Sequence, residues 1–208
     1  MNTQTRLEIR SGLIALALSA LLATLGAALG GPFDLADPDA YLIPAALSPI
    51  YLPGWMLILV GVVLHLYGLF GLYRYLTYEA QSLIAFLAFV LNVAGLTLAL
   101  PFLGLLAAHG PVIAELYQQG YQEVIALLGV VVLARIIGVA LFVIAIWKDG
   151  RLPKWTAIVF PLGFLLAAAG ATFTTELLGA VLLLIGTGTM AWKGWQESGA
   201  GPAMPSLR

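Results

Sequence analysis

The chain has 208 residues, 62% of them hydrophobic and 9% charged, with a net charge of −1 and no cysteine. A soluble domain carries about 25% charged residues, so this composition leaves lipid as the solvent for much of the surface. The near-neutral balance excludes a basic nucleic-acid footprint, and the missing Cys excludes disulfides, thiolate catalysis, iron–sulfur clusters and Cys-type zinc sites.

The first apolar stretch covers 11–30 and follows Arg6 and Arg10. Its basic flank and the small residues Ala27, Ala28 and Gly30 also fit a secretory signal. The run from Gly12 to Leu29 outlasts a 7–15-residue signal core, so a retained helix is expected. Ala15, Ser19, Ala23 and Ala27 recur every four residues and form a packing stripe. The next segment, 31–52, holds Pro32, Pro38, Pro44 and Pro49, which forbid one long helix. A short turn on the membrane is expected over 40–47. Asp34, Asp37 and Asp39 lie here too, but they lack calcium-loop spacing and read as a turn.

The second stretch, 53–73, ends beside Arg74, and the third covers 81–107. Residues 110–121, between Pro111 and Gly120, read as a short interfacial helix. The remaining stretches are 123–147, 155–173 and 176–193, and the tail from 198 to 208 is rich in Gly, Pro and Ser. Each stretch is near the roughly 20 residues a crossing needs. Pro101 and Pro161 lie within the third and fifth and can kink them.

Charge orders these six. Eight of the nine Lys and Arg residues fall before the first stretch, after the second, between the fourth and fifth, or at and after the end of the sixth. The other connections carry none. Short cytoplasmic loops hold the Lys and Arg, so both termini are expected in the cytoplasm. Trp147, Trp155, Trp192, Trp195, Tyr73, Tyr75 and Tyr78 are expected as an inner aromatic belt, and Tyr51, Trp55, Tyr117 and Tyr121 as an outer one. The segments LATLGAAL (22–29), LNVAGLTL (91–98) and LAAAGATF (166–173) look alike and would suit three repeated hairpins.

The ninth cation is Arg135, 12 residues after Glu123 and 13 before Lys148. That puts it about 18–20 Å from either end, at mid-membrane. Burying it costs about 2.5–3.5 kcal/mol on insertion scales, and it cannot shed its proton. No Asp or Glu shares its depth. His65 and Asn92 do, and a neutral His or an Asn carbonyl can accept from a guanidinium. A buried polar node of His65, Asn92 and Arg135 is expected, with Tyr67, Thr97, Thr187 and Thr189 as outer members. It would serve either as a ligand site for an anionic group or as a clamp fixing helix register.

Other chemistry finds no support. Bis-His haem needs a second deep His, and His109 lies at the outer boundary. Retinal needs a deep Lys, and a proton relay needs a chain of acids or His. HExxH, GxSxG and paired intramembrane aspartates are absent. The reading is therefore of a non-enzyme with no cofactor and no metal.

The segments LARIIGVALFVIAIWKDGRLPKWTAIVFPLGFLLAAAG (133–170), LGAVLLLIGTGTMAWKGW (178–195) and LYGLFGLYRYL (66–76) resemble bacterial six-helix membrane proteins of the family catalogued as DUF4386. The shared pattern is a helix with an early Arg, a short basic turn and a Gly-rich apolar helix. That family is expected to carry an acidic residue soon after the Arg; here Ile136, Ile137 and Gly138 follow. The resemblance implies the fold and no activity.

The expectation is an all-α polytopic bundle in one domain, with six crossings, both termini inside and a bacterial plasma-membrane location. Its partners are the bilayer and either further copies or a membrane complex, without nucleic acid. Two functions fit: a small accessory or structural subunit, or a binder or transporter of a small anionic or amphiphilic molecule at Arg135.

Overall fold

A computed structural model describes residues 2–30, 46–119, 122–169 and 173–199. Among them are six helices and no strand: α1 (Thr3–Gly30), α2 (Tyr51–Thr77), α3 (Leu83–Gln118), α4 (Gln122–Asp149), α5 (Thr156–Ala169) and α6 (Phe173–Gly199). Residues 31–45, with Asp34, Asp37 and Asp39, and the tail beyond 199 lie outside the described residues, as do Gly120, Tyr121 and 170–172.

Five of the helices are long and apolar enough to cross a membrane. They extend past the apolar cores that define them, because helical hydrogen bonds continue into the polar flanks. The fifth expected stretch is the exception. α5 has 14 residues, about 21 Å of helix, and falls short of the bilayer's roughly 30 Å. It contains Pro161, whose ring nitrogen has no proton to bond the carbonyl of Ala157. α3 is two helical pieces meeting at His109, whose φ of −141° and ψ of 37° interrupt the helix. This is the break expected between a crossing and a short interfacial helix.

The helices close a ring in sequence order, each packing on its two neighbours, with α6 returning to α1. The densest pairs are the hairpins α1–α2, α3–α4 and α5–α6, and the thinnest seam is α4–α5. Glycine sets the α1–α2 approach. A Cβ on Gly68 would lie 2.6 Å from Leu16 Cα, and Gly12 and Gly71 sit backbone against backbone. Gly61 faces Ser19 and Ala23, so the expected small-residue stripe of α1 does pack on a helix. α1 also supplies Ile9, Leu13 and Leu16 to the core. Losing it would strip the faces of α2 and α6.

The core fills one half of the ring. Leu13, Leu16, Leu69, Leu72, Phe142, Phe160 and Met190 are all buried there, toward the helix ends that carry most of the Lys and Arg. Ionic ties hold that end together. Arg74 Nε donates to Glu8 Oε2 at 3.0 Å, joining α2 to α1. Arg151, in the turn after Gly150 (φ 74°, a left-handed helix stop), donates to Asp149 and to the Tyr75 carbonyl at 2.8 Å. Its guanidinium stacks 4.8 Å from the Tyr75 ring and 4.3 Å from Tyr78. Burial alone would weaken the hold of Arg151 on its proton. Asp149 and Tyr78 outweigh it and raise the guanidinium above its usual range.

The aromatic belts are redrawn by these contacts. Trp147, Trp155, Trp192 and Trp195 are exposed, as expected of anchors. Tyr75 is buried instead, its hydroxyl donating to Glu197 Oε2 at 2.6 Å. Tyr51 and Trp55 are also buried, 6.1 Å apart and packed with Ala107. A ring near a helix end can face the bundle as readily as the headgroups.

Candidate functional site

The other half of the ring is hollow. A cavity of about 400 Å³ is lined by Ser19 and Ala23 of α1, Gly61 and His65 of α2, Leu96 and Ala99 of α3, Val131 and Arg135 of α4, Phe164 of α5 and Leu183 and Thr187 of α6. Its walls are apolar. Its polar members, Ser19, His65, Arg135 and Thr187, gather at one level, where the cavity meets the packed core. The register follows from glycine contacts: Gly61 against Ser19, Gly95 against the Arg135 side chain, and Gly194 against Leu13. Each polar group therefore comes from a different helix.

Arg135 Nη1 donates to Asn92 Oδ1 at 3.2 Å. Asn92 is 1% exposed, and its Nδ2 donates to the Ala88 carbonyl at 2.8 Å, which fixes the amide with its oxygen toward the guanidinium. Close packing supports both partners. A Cβ on Gly95 would come within 2.9 Å of Arg135 Cγ, and one on Gly138 would strike the Asn92 amide. The guanidinium carbon also lies 4.6 Å from the centre of the Phe164 ring. Among the described residues no carboxylate pairs with Arg135. Its charge is met by an amide oxygen and a ring face, which leaves donors turned to the cavity.

His65 joins the site from the other side. Its Nδ1 lies 3.1 Å from Ser19 Oγ. That hydroxyl has one proton, and it points at the Leu16 carbonyl at 2.7 Å. Ser19 must then accept from Nδ1–H, so in the neutral ring Nε2 carries the lone pair. Nε2 is buried and bonds to no described residue. The cavity floor thus presents a fixed cation, while His65 Nε2 is closed off from it.

The three residues expected together are brought together, with one difference. Asn92 accepts from Arg135, whereas His65 bonds Ser19 and shares only the cavity. Of the expected outer members, Thr187 lines the cavity with its hydroxyl turned to the Leu183 carbonyl at 2.7 Å. Tyr67 bonds Ser11 at 2.6 Å, Thr189 bonds the Ile185 carbonyl at 2.9 Å, and Thr97 is exposed. Ser19 and Phe164 were not singled out for the node. Ser19 was legible only as one member of a small-residue stripe, and Phe164 as one apolar residue among many. Among the described residues no group of His, Asp and Glu could hold a metal ion.

No family model matches the chain, and neither the curated proteins nor the solved structures contain a match.

Proposed function

We propose that this chain is a multi-pass membrane protein that binds the anionic group of a small amphiphile at Arg135. The carrying observation is a guanidinium that lines a cavity between the helices with no carboxylate partner among the described residues. An uncompensated buried charge is costly, and an anion that pairs with it recovers part of that cost. The apolar walls suit the rest of an amphiphile.

In this reading all six helices cross, α5 included, with both termini on the cytoplasmic side of a bacterial plasma membrane. The alternation of Lys and Arg supports that orientation. The short α5 is carried within the ring by α6, against which Gly163 packs closely.

A second reading keeps the chain as an accessory or structural subunit. The Arg135–Asn92 bond favours it, because it ties α3 to α4 whether or not a ligand is present. Native mass spectrometry after gentle extraction separates the two. A bound anionic small molecule or lipid, lost on Arg135→Gln, supports the binder. A co-purifying protein or a clean oligomer without ligand supports the subunit.

A further inference from the structure

Four of the described side chains that line the Arg135 cavity are polar: Ser19, His65, Arg135 and Thr187. Three of them have no proton left to give. The Ser19 hydroxyl donates to the Leu16 carbonyl at 2.7 Å, the Thr187 hydroxyl donates to the Leu183 carbonyl at 2.7 Å, and His65 uses its one N–H on Ser19. Among the described lining residues, every free side-chain donor therefore belongs to Arg135. One of its five N–H groups serves Asn92, and its guanidinium carbon lies 4.6 Å over the Phe164 ring. With that face covered, the remaining N–H groups point along the edges. From the level of His65 and Leu96 the cavity runs to Ile58 and Leu103, about 10 Å along their helices. Ile58 and Leu103 both pack on the buried cluster of Tyr51, Trp55 and Ala107, which stops the cavity at that end.

We infer that the ligand is a compact carboxylate of about ten to sixteen non-hydrogen atoms, its two oxygens on an edge of Arg135 and its apolar body inside this cavity. This rests on the binding function proposed above. Donor supply selects the head. A carboxylate takes two parallel N–H bonds from one guanidinium edge. A sulfonate or phosphate brings a third oxygen into an apolar box where no other side chain can donate, and a buried acceptor without a partner is costly. Charge agrees. One cation neutralises one carboxylate, whereas a phosphate monoester carries about −1.5 to −2 at neutral pH and leaves negative charge buried. Volume and length select the body. An apolar cavity of about 150 Å³ holds one benzene, so about 400 Å³ takes roughly sixteen non-hydrogen atoms. A straight chain cannot use all of that space. Carbon–carbon bonds of about 1.5 Å advance a zigzag chain about 1.3 Å each, so about eight carbons already span the cavity. A ring or a branch fills the rest.

The test uses the full chain in lipid nanodiscs, at a pH where carboxylic acids are ionised, with affinities compared at equal membrane concentration. 4-Phenylbutyrate should bind, and Arg135→Gln should weaken it at least tenfold. Octanoate should bind as well, and octanesulfonate and octyl phosphate at least about tenfold more weakly, since one unpaired buried oxygen is worth about that much. Hexadecanoate, too long for the cavity, should bind more weakly than octanoate. Ala99→Leu takes up cavity space and should weaken 4-phenylbutyrate more than hexanoate, with the unliganded melt as the check on folding. Arg135-dependent binding of octanesulfonate or octyl phosphate that matches octanoate overturns the carboxylate and leaves the anion site standing. Hexadecanoate that binds as well as 4-phenylbutyrate, or a folded Ala99→Leu that binds 4-phenylbutyrate unchanged, overturns the enclosed body and leaves the head. If no anion in the series binds, or Arg135→Gln changes the binding of none, the inference and the binding function fail together.

Discussion

Arg135 on α4 donates from Nη1 to Asn92 Oδ1 on α3 at 3.2 Å, so the deepest cation of the bundle is answered by a neutral amide. An amide oxygen orients a guanidinium without cancelling its charge. The pair therefore positions a cation at the cavity floor while leaving it available to an anion.

Asn92→Asp should convert this into a closed ion pair. The carboxylate would neutralise Arg135 from within, at the cost of the bond that Asn92 Nδ2 gives to the Ala88 carbonyl. The expected result is loss of anionic ligand with the fold retained, read by ligand-induced thermal shift in detergent. Unchanged affinity would mean that the ligand does not meet Arg135.

The glycine-mediated approach of α1 to α2 gives a stability prediction. Gly68→Val places its Cβ 2.6 Å from Leu16 Cα, where backbone cannot yield cheaply. Overpacking of this kind costs about 1–3 kcal/mol, visible as a lowered Tm. Gly104→Ala meets nothing within 4 Å and should be neutral or stabilising by up to about 1 kcal/mol, from helix propensity. Equal effects from the two would refute the close approach.

At the basic end, Arg151→Lys should fail to replace Arg151. Lysine keeps the charge but not the guanidinium's contacts over the Tyr75 and Tyr78 rings or the fork on Asp149. A loss of about 2 kcal/mol is expected, the range for hydrogen bonds to charged groups. Tyr75→Phe, which removes only the bond to Glu197, should cost about 1 kcal/mol. Thermal melts of both variants check the order; a silent Arg151→Lys would contradict it.

Orientation is a separate expectation. Reporter fusions after residues 40, 112 and 175 should read outside, and fusions after 77, 151 and 200 inside. Reversed readings at 175 and 200, with 151 still inside, would remove α5 as a crossing.

Much of this was legible in the sequence, and the limits have physical causes. The long helices were visible because hydropathy reports which segments lipid tolerates. Arg135, Asn92 and His65 stood out because each is costly at its depth. Hydropathy was blind to facing. Tyr75 and Trp55 sit near helix ends like anchors, yet point inward, where one bonds Glu197 and the other lies at a tilt against Tyr51. Ser19 and Phe164 carry no cost of their own. Their roles exist only once α1 is against α2 and α5 is beside α4.

The most direct measurement is the thermal melt of purified wild type and Arg135→Gln, each with and without a saturating compact carboxylate. A ligand at 100 times its Kd adds about 2.7 kcal/mol to the folded state that binds it. The wild type should gain that stability, and Arg135→Gln should match the unliganded wild type and gain none. A variant that melts well below the wild type, beside a wild type that no carboxylate stabilises, would mean that Arg135 is a structural clamp.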